Sequence, residues 1–276
     1  VTAQAMMRLI EEPGKITEGE VWFENRDLLK LSEDEMTKIR GREISMIFQE
    51  PKSSLNPVFK SGFQIKETLL NAKKATPANA EEEVEKILGY VGMDASRVKN
   101  MYPHELSGGM AQRVMIAMAL ATQPKLLIAD EPTSALDVTI QAQILELLSD
   151  LTQKMGNAVM MITHDMGIVA EFCDRVVVMY AGNAVEVAPT KELFQNPIHP
   201  YTQGLLRAVP RVGRPGELKA IPGTVPDLVD PPEGCRFHPR CDYAFDQCKN
   251  VLPPLLEISA HHYVSCYLCQ KDGCPS

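Results

Sequence analysis

Hydrophobic and polar positions change rhythm several times along this chain, and each change marks an element. Residues 1–10 are largely apolar with helical spacing, and Pro13-Gly14 ends that run in a turn. A short strand is expected over 20–23 and its flanks. Residues 44–48 form a compact apolar run of strand length. They lead into Pro51-Lys52-Ser53-Ser54-Leu55-Asn56-Pro57, which is loop chemistry. From about 61 to 102 the sequence turns helical and charged, with 81–88 spaced as an amphipathic helix. A regular alternation follows: helix 110–122, strand 125–129, helix 138–155, strand 158–163, helix 166–171, strand 175–180. Strands separated by helices predict an α/β fold with a mainly parallel sheet and helices on its faces. After about residue 195 the periodicity breaks up. Pro, Gly and Cys dominate 210–276, which predicts a loop-rich appendage that needs a staple.

Composition narrows the classes. With 276 residues, 45% of them hydrophobic, the chain can bury a core as one large domain, or one domain plus an appendage. A net charge of −8 argues against sequence-independent nucleic-acid binding, which needs a basic surface. No run approaches the roughly eighteen apolar residues of a membrane span, and no secretory signal is visible. The first residue is Val and the opening reads as mid-helix, so the chain is expected to start inside a larger protein. Six of the seven cysteines follow residue 230, which makes them a local feature and not a whole-chain disulfide framework.

Candidate chemistry sits at the ends of the apolar runs. Lys125-Leu126-Leu127-Ile128-Ala129 closes on Asp130-Glu131. Ligands of α/β sheets bind beyond the carboxyl ends of strands, and two adjacent carboxylates there suit Mg²⁺ coordination and the orientation of a water. A buried strand entering a polar turn reads the same. Upstream, Leu106-Ser107-Gly108-Gly109-Met110-Ala111-Gln112-Arg113 opens a helix rich in Ala and Met. Its glycines leave backbone N–H groups open where a helix start favours phosphate, with Ser107 at the N-cap. An ordinary capped helix would look alike. Ser134-Ala135-Leu136-Asp137 follows the acids, the run 159–163 ends in His164-Asp165, and Gln49 stands in the same relation to the run 44–48. An imidazole there can reach a γ-phosphate or a water, and an amide can touch both Mg²⁺ and water.

Taken in this order, these motifs closely resemble the nucleotide-binding domain of ABC transporters, a P-loop NTPase-like α/β fold. The resemblance makes Gln49 the Q-loop, 106–110 the signature, Asp130 and Glu131 the Walker B acids, 134–137 the D-loop and His164 the switch histidine. It implies that two such domains pair head to tail around two ATP molecules, with Asp130 and Gln49 on Mg²⁺, Glu131 as general base and His164 sensing the γ-phosphate. Ser107, Gly108 and Gly109 would meet the γ-phosphate of ATP bound to the partner, and Gln112 and Asp137 count among the nucleotide-binding residues. The family's helical subdomain would cover about 61–122 and dock, with the Gln49 loop, on the membrane permease. One departure is severe: the sequence has no G-x-x-x-x-G-K-[ST], and Gly14-Lys15, followed by Ile16, does not qualify. In the family the helix resembling 1–10 directly follows that loop. The missing strand and loop are therefore expected just before Val1, and this polypeptide alone should bind ATP poorly.

The tail narrows the family. Asn196-Pro197-Ile198-His199-Pro200-Tyr201-Thr202, Leu205-Leu206, Ile221-Pro222-Gly223 and Cys235-Arg236-Phe237-His238-Pro239-Arg240-Cys241 resemble the C-terminal extension of dipeptide/oligopeptide (and nickel) importer ATPases. The expected domains are thus a nucleotide-binding domain over 1–195 and this extension over 196–276. The resemblance implies a peripheral subunit on the cytoplasmic face of a bacterial membrane. Its partners would be permease subunits, a second identical or related ATPase and, indirectly, an external peptide-binding protein. Cys235, Cys241, Cys248 and Cys266 suit a metal site better than disulfides in that compartment. Their pattern in this family is associated with a [4Fe–4S] cluster, with Zn²⁺ as the alternative. A soluble ABC ATPase of translation or DNA repair lacks support, since no second domain or long coiled-coil insertion is present. A non-enzymatic remnant stays open.

Overall fold

A computed structural model describes residues 1–134, 136–209 and 220–271, which divide into two compact units, Val1–His164 and Asp165–Ser276. The first unit opens with Thr2–Met6 (α1), Trp22–Phe23 (β1) and Arg26–Asp27 (β2), the two strands forming an antiparallel pair. α1 is shorter than the run 1–10 suggests. Arg8 turns to a positive φ of 52°, and its guanidinium donates to the Leu31 carbonyl at 2.6 Å. Glu33–Ile39 (α2) starts on a reciprocal cap, in which Ser32 and Glu35 satisfy each other's backbone N–H. Met36 and Ile39 from its inner face join Ala3, Met7, Leu28, Ile44 and Ile128 in one buried cluster.

Ile44–Ile47 (β3), Leu126–Asp130 (β4) and Ala158–Ile162 (β5) form a parallel three-stranded sheet in the order β3-β4-β5. Leu127, Ile128 and Ala129 have no exposed surface, the continuous apolar run of a strand covered on both faces. Burying each of the two large side chains is worth roughly 1.5–3 kcal/mol. Between β3 and β4 the chain is helical, running through Pro51–Ser54 (α3), Ser61–Asn71 (α4), Ala80–Tyr90 (α5), Ala95–Val98 (α6) and Gly108–Ala121 (α7). α7 packs against α3, α4 and α5 and is buried nearly all round, which explains its Ala- and Met-rich composition. Val138–Met155 (α8) spans the expected residues and stops at Gly156, whose φ of 68° supplies the left-handed turn.

The second unit departs from a uniformly parallel sheet. After Met166–Phe172 (α9), Arg175–Tyr180 (β6) does not extend the parallel set; it pairs antiparallel with Asn183–Pro189 (β7). The reason is local. Ala181 and Gly182 both take positive φ, 47° and 86°, the two-residue turn whose twist matches a hairpin. Thr190–Gln195 (α10) and Pro200–Arg207 (α11) follow, then Asp246–Asn250 (α12), Leu256–Ser259 (β8), His262–Val264 (β9) and Leu268–Lys271 (α13). The tail is less irregular than its composition suggests, because β9 and β8 add to β7 in the sheet order β6-β7-β9-β8. Tyr180, Leu206 and Phe237 anchor the core of this unit, with Tyr180 edge-on to Phe237 at 5.1 Å.

Candidate active site

The three parallel strands deliver three polar side chains to one place. β4 ends at the half-buried Asp130, and the next residue, Glu131, turns left-handed with a φ of 46° while its N–H donates to the Ile162 carbonyl of β5 at 2.9 Å. This turn lifts the carboxylate out of the strand direction; a non-glycine residue held there is uncommon and marks a constrained position. Glu131 Oε2 accepts from the Gln49 amide, just past β3, at 2.8 Å. Its other oxygen lies 3.2 Å from Nδ1 of His164, just past β5. The Glu131 side chain is 26% exposed and that of His164 80%. The group is thus open to solvent on the histidine side and backed by protein at the carboxylate.

A residue that motif spacing did not single out individually ties the group together. Ser134 Oγ lies 3.1 Å from the Gln49 carbonyl and 3.0 Å from the Glu131 carbonyl. One hydroxyl thereby fastens the loop after β3 to the turn after β4.

The Ser-Gly-Gly segment forms a second group. Ser107 caps α7 by accepting from the Met110 N–H at 3.3 Å, and Asp137 caps α8 by accepting from the Ile140 N–H at 3.0 Å. A Cβ on Gly109 would fall 2.8 Å from Ile140 Cγ2, and one on Gly108 would touch Leu136. Gly109 therefore has a packing reason, the close approach of α7 to the first turn of α8, beside any ligand reason. Gln112 points inward: it is 1% exposed, and its amide nitrogen has no hydrogen-bond partner.

The tail cysteines also converge. Cys235, Cys241, Cys248 and Cys266 line one small cavity with His199, Phe237 and Tyr267. Among the described residues, however, no three ligating side chains stand close enough together to hold a single ion. Burial pushes the Cys235 thiol up and Cys241 up to about 11. Cys266 is drawn down to about 7, chiefly by a hydrogen bond from Cys269, with help from the Leu268 and Cys269 backbone N–H groups. Cys274 lies outside the described residues.

Sequence reasoning missed the most buried polar contact. Glu186 and His262 have 0% and 1% of their side chains exposed and meet at 2.8 Å. The Glu186 carboxylate also accepts the Ile198 and His199 backbone N–H groups, each at 2.9 Å. The one signal was a lone acid within the apolar Ala184-Val185-Glu186-Val187-Ala188.

Comparison with known proteins places the chain in a family. Residues 3–134 match the ABC transporter family, and 185–248 match the oligopeptide/dipeptide transporter C-terminal region. The oligopeptide transport ATP-binding protein OppD of Bacillus subtilis is 52% identical over 99% of this chain and 77% of its own length. The dipeptide transport ATP-binding protein DppD of the same organism is 49% identical over 97% and 81%, and OppD of Salmonella typhimurium 49% over 96% and 79%. Among solved structures, the dimeric ATP-binding cassette MJ0796 bound to ADP and Pi superposes with a TM-score of 0.58 at 31% identity, covering 68% of this chain and 80% of its own. The cbiO1 subunit of the Clostridium perfringens cbiONQ transporter gives 0.59 at 27%, covering 71% and 74%.

Proposed function

The chain belongs to the ABC transporter family of ATP-binding proteins, and we propose that it hydrolyses ATP to drive uptake of di- or oligopeptides through a membrane permease. The observation that carries the chemistry is the Glu131 carboxylate held between Gln49 and His164 at the ends of three parallel strands. A carboxylate fixed at both oxygens is oriented to accept a proton from an attacking water. His164, largely exposed, is placed to meet a phosphate oxygen from the solvent side. Asp130 and Gln49 would hold Mg²⁺, which when bound neutralises charge on the β- and γ-phosphate oxygens. Ser107, Gly108 and Gly109 serve the ATP of a partner subunit, and Asp137 steadies α8 beside them. Gln112 acts through packing.

Peptide, rather than nickel, is the solute that the named relatives favour. Nucleotide binding occupies residues 1–195, and 196–276 form the importer-type extension. The exposed stacked pair Phe59 and Phe63, 4.8 Å apart beside the exposed Val58, suits docking on permease subunits. No helix among the described residues is long and apolar enough to cross a membrane, so we place the subunit peripherally, on the cytoplasmic face. It acts there with a second ATPase subunit and, through the permease, an external binding protein. The convergence of four cysteines on one cavity supports a thiolate-held metal centre of structural role. Cys235, Cys241, Cys248 and Cys266 would hold it, as a [4Fe–4S] cluster or as Zn²⁺. Iron content and absorbance near the visible edge of an anaerobically purified sample decide between cluster, zinc and neither.

The transport reading is tested in vesicles holding this subunit, with a P-loop segment ahead of residue 1, an oligopeptide permease and its binding protein. ATP-dependent accumulation of a labelled oligopeptide is expected. Accumulation of nickel instead, or of nothing, overturns it. Because the sequence lacks G-x-x-x-x-G-K-[ST], the polypeptide 1–276 alone is expected to bind Mg-ATP poorly, and micromolar affinity in calorimetry would contradict this.

A further inference from the structure

Ser134 contributes no group to the contact between Gln49, Glu131 and His164, yet it holds the backbone of two of them. Its hydroxyl lies 3.1 Å from the Gln49 carbonyl and 3.0 Å from that of Glu131, and its N–H donates to the same Glu131 carbonyl at 3.1 Å. The N–H contact closes a four-residue turn, Glu131-Pro132-Thr133-Ser134, with proline where its fixed φ suits the turn. Proline also steers the residue before it away from the right-handed helical region and toward extended backbone. Glu131 adopts neither. It sits at a φ of 46°, a conformation that persists only where its surroundings hold it. Its own N–H on the Ile162 carbonyl fixes one end, and Ser134 fixes the other. Released, Glu131 would relax toward extended backbone and turn its carboxylate out of the space between Gln49 and His164.

The contacts form a closed ring. The Gln49 amide donates to the Glu131 carboxylate at 2.8 Å, and Ser134 joins the Glu131 carbonyl back to the Gln49 carbonyl. A hydroxyl carries a single proton, so Ser134 donates fully to only one of the two carbonyls at a time. If the Gln49 loop draws back, the proton passes to the Glu131 carbonyl and no donor is stranded. The tie can thus be made and released at low cost.

We propose that Ser134 is a positioning residue for ATP hydrolysis. Its hydroxyl keeps the Glu131 turn and the Gln49 loop in register, and so aims the Glu131 carboxylate at the attacking water. The proposal rests on the reading of Glu131 as proton acceptor. Ser134 takes no part in the proton transfer and acts only through Glu131.

The test compares Ser134→Ala with Ser134→Thr, which keeps the hydroxyl. In the chain 1–276, hydrogen exchange at the Glu131 amide should quicken about tenfold in Ser134→Ala, the worth of one hydrogen bond, while the Leu148 amide of α8 keeps its rate. The Gln49 side-chain amide resonances should move toward those of a free glutamine. In the chain supplied with a P-loop segment, kcat for ATP hydrolysis should fall about 10–100-fold in Ser134→Ala. KM for ATP should stay unchanged, the mark of an interaction made in the transition state. Ser134→Thr should recover most of that loss. In a Glu131→Gln background, Ser134→Ala should cost less than about twofold more, because both act through one carboxylate. Full kcat in Ser134→Ala, a loss that appears in KM instead, a Ser134→Thr variant as slow as Ser134→Ala, or full additivity with Glu131→Gln overturns the positioning role. Unmoved Gln49 resonances overturn the tie between the two loops. Should Glu131→Gln itself keep full kcat, the proton-acceptor reading fails instead, and the exchange and resonance results still decide whether Ser134 joins the loops.

Discussion

Each unit of this protein contains a glutamate–histidine contact, and the two do opposite things with the same chemistry. Glu131 and His164 meet at 3.2 Å with 26% and 80% of their side chains exposed. Glu186 and His262 meet at 2.8 Å with essentially none. Around Glu131 the partners are side chains from loops, and water can reach the histidine. Around Glu186 the partners include two backbone N–H groups at the entry to α11, so the carboxylate is fully occupied. A carboxylate open on one side can exchange protons with a substrate. One enclosed by three donors and apolar neighbours can only hold its surroundings together. Burial, more than partner identity, separates a reactive pair from a structural one.

The contrast can be broken by swapping which property responds to mutation. Glu131→Gln, made in the chain supplied with a P-loop segment, should lower kcat for ATP hydrolysis by about 10²–10⁴-fold and leave the denaturant midpoint unmoved. A stability loss there would erase the distinction. Glu186→Ala should lower unfolding free energy by about 3–5 kcal/mol, because it strands a buried imidazole and two N–H groups. Urea unfolding of the chain measures it, and a loss under about 1 kcal/mol would make this pair as dispensable as an exposed one.

Acid should tell the same story for the neighbouring His199, whose N–H feeds Glu186. Burial holds His199 down at about 4, from an ordinary 6.5. Between those values the unfolded chain binds a proton that the folded chain refuses, so stability falls as pH drops through this window and is intact above it. The loss should reach about 3 kcal/mol by pH 4. His199→Asn, which keeps a cap for the Tyr201 N–H now accepted by Nδ1, should flatten that slope relative to the parent chain. The smallest expected effect concerns the Ser-Gly-Gly segment. Gly109→Ala should destabilise by about 1–3 kcal/mol through overpacking on Ile140, and Ile140→Ala should recover part of it. An equal ATPase loss with no stability change would instead make the glycine purely a ligand contact.

Much of the strand-end group was legible because its signal is local. An apolar run that stops on Gln49, on Asp130-Glu131 or on His164 announces both a strand and its exit, and the three exits meet as parallel topology requires. α8 was read to the residue because its Asp137 cap and Gly156 stop flank an uninterrupted periodicity. The β6–β7 hairpin escaped because Ala181-Gly182 lacks the usual asparagine or aspartate at its first turn position. The Glu186–His262 contact escaped because its partners lie 76 residues apart, and no spacing rule reaches that far. Ser134 was read as one letter of a motif; only its distances to two carbonyls gave it a task. Inward-facing Gln112 shows the converse, a residue whose place in a motif says little about where its side chain goes.

The tail strands carry a consequence for how this protein is made. Glu186 leaves the ribosome 76 residues before the histidine that will pair with it, and at about 5–20 residues per second the wait is about 4–15 s. During that interval β7 has β6 on one side and an open edge on the other, the exposure that invites nascent chains to stick to one another. A carboxylate in the middle of the open strand is a strong guard against such pairing. The charge that the finished sheet buries is, during translation, the strand's own escort.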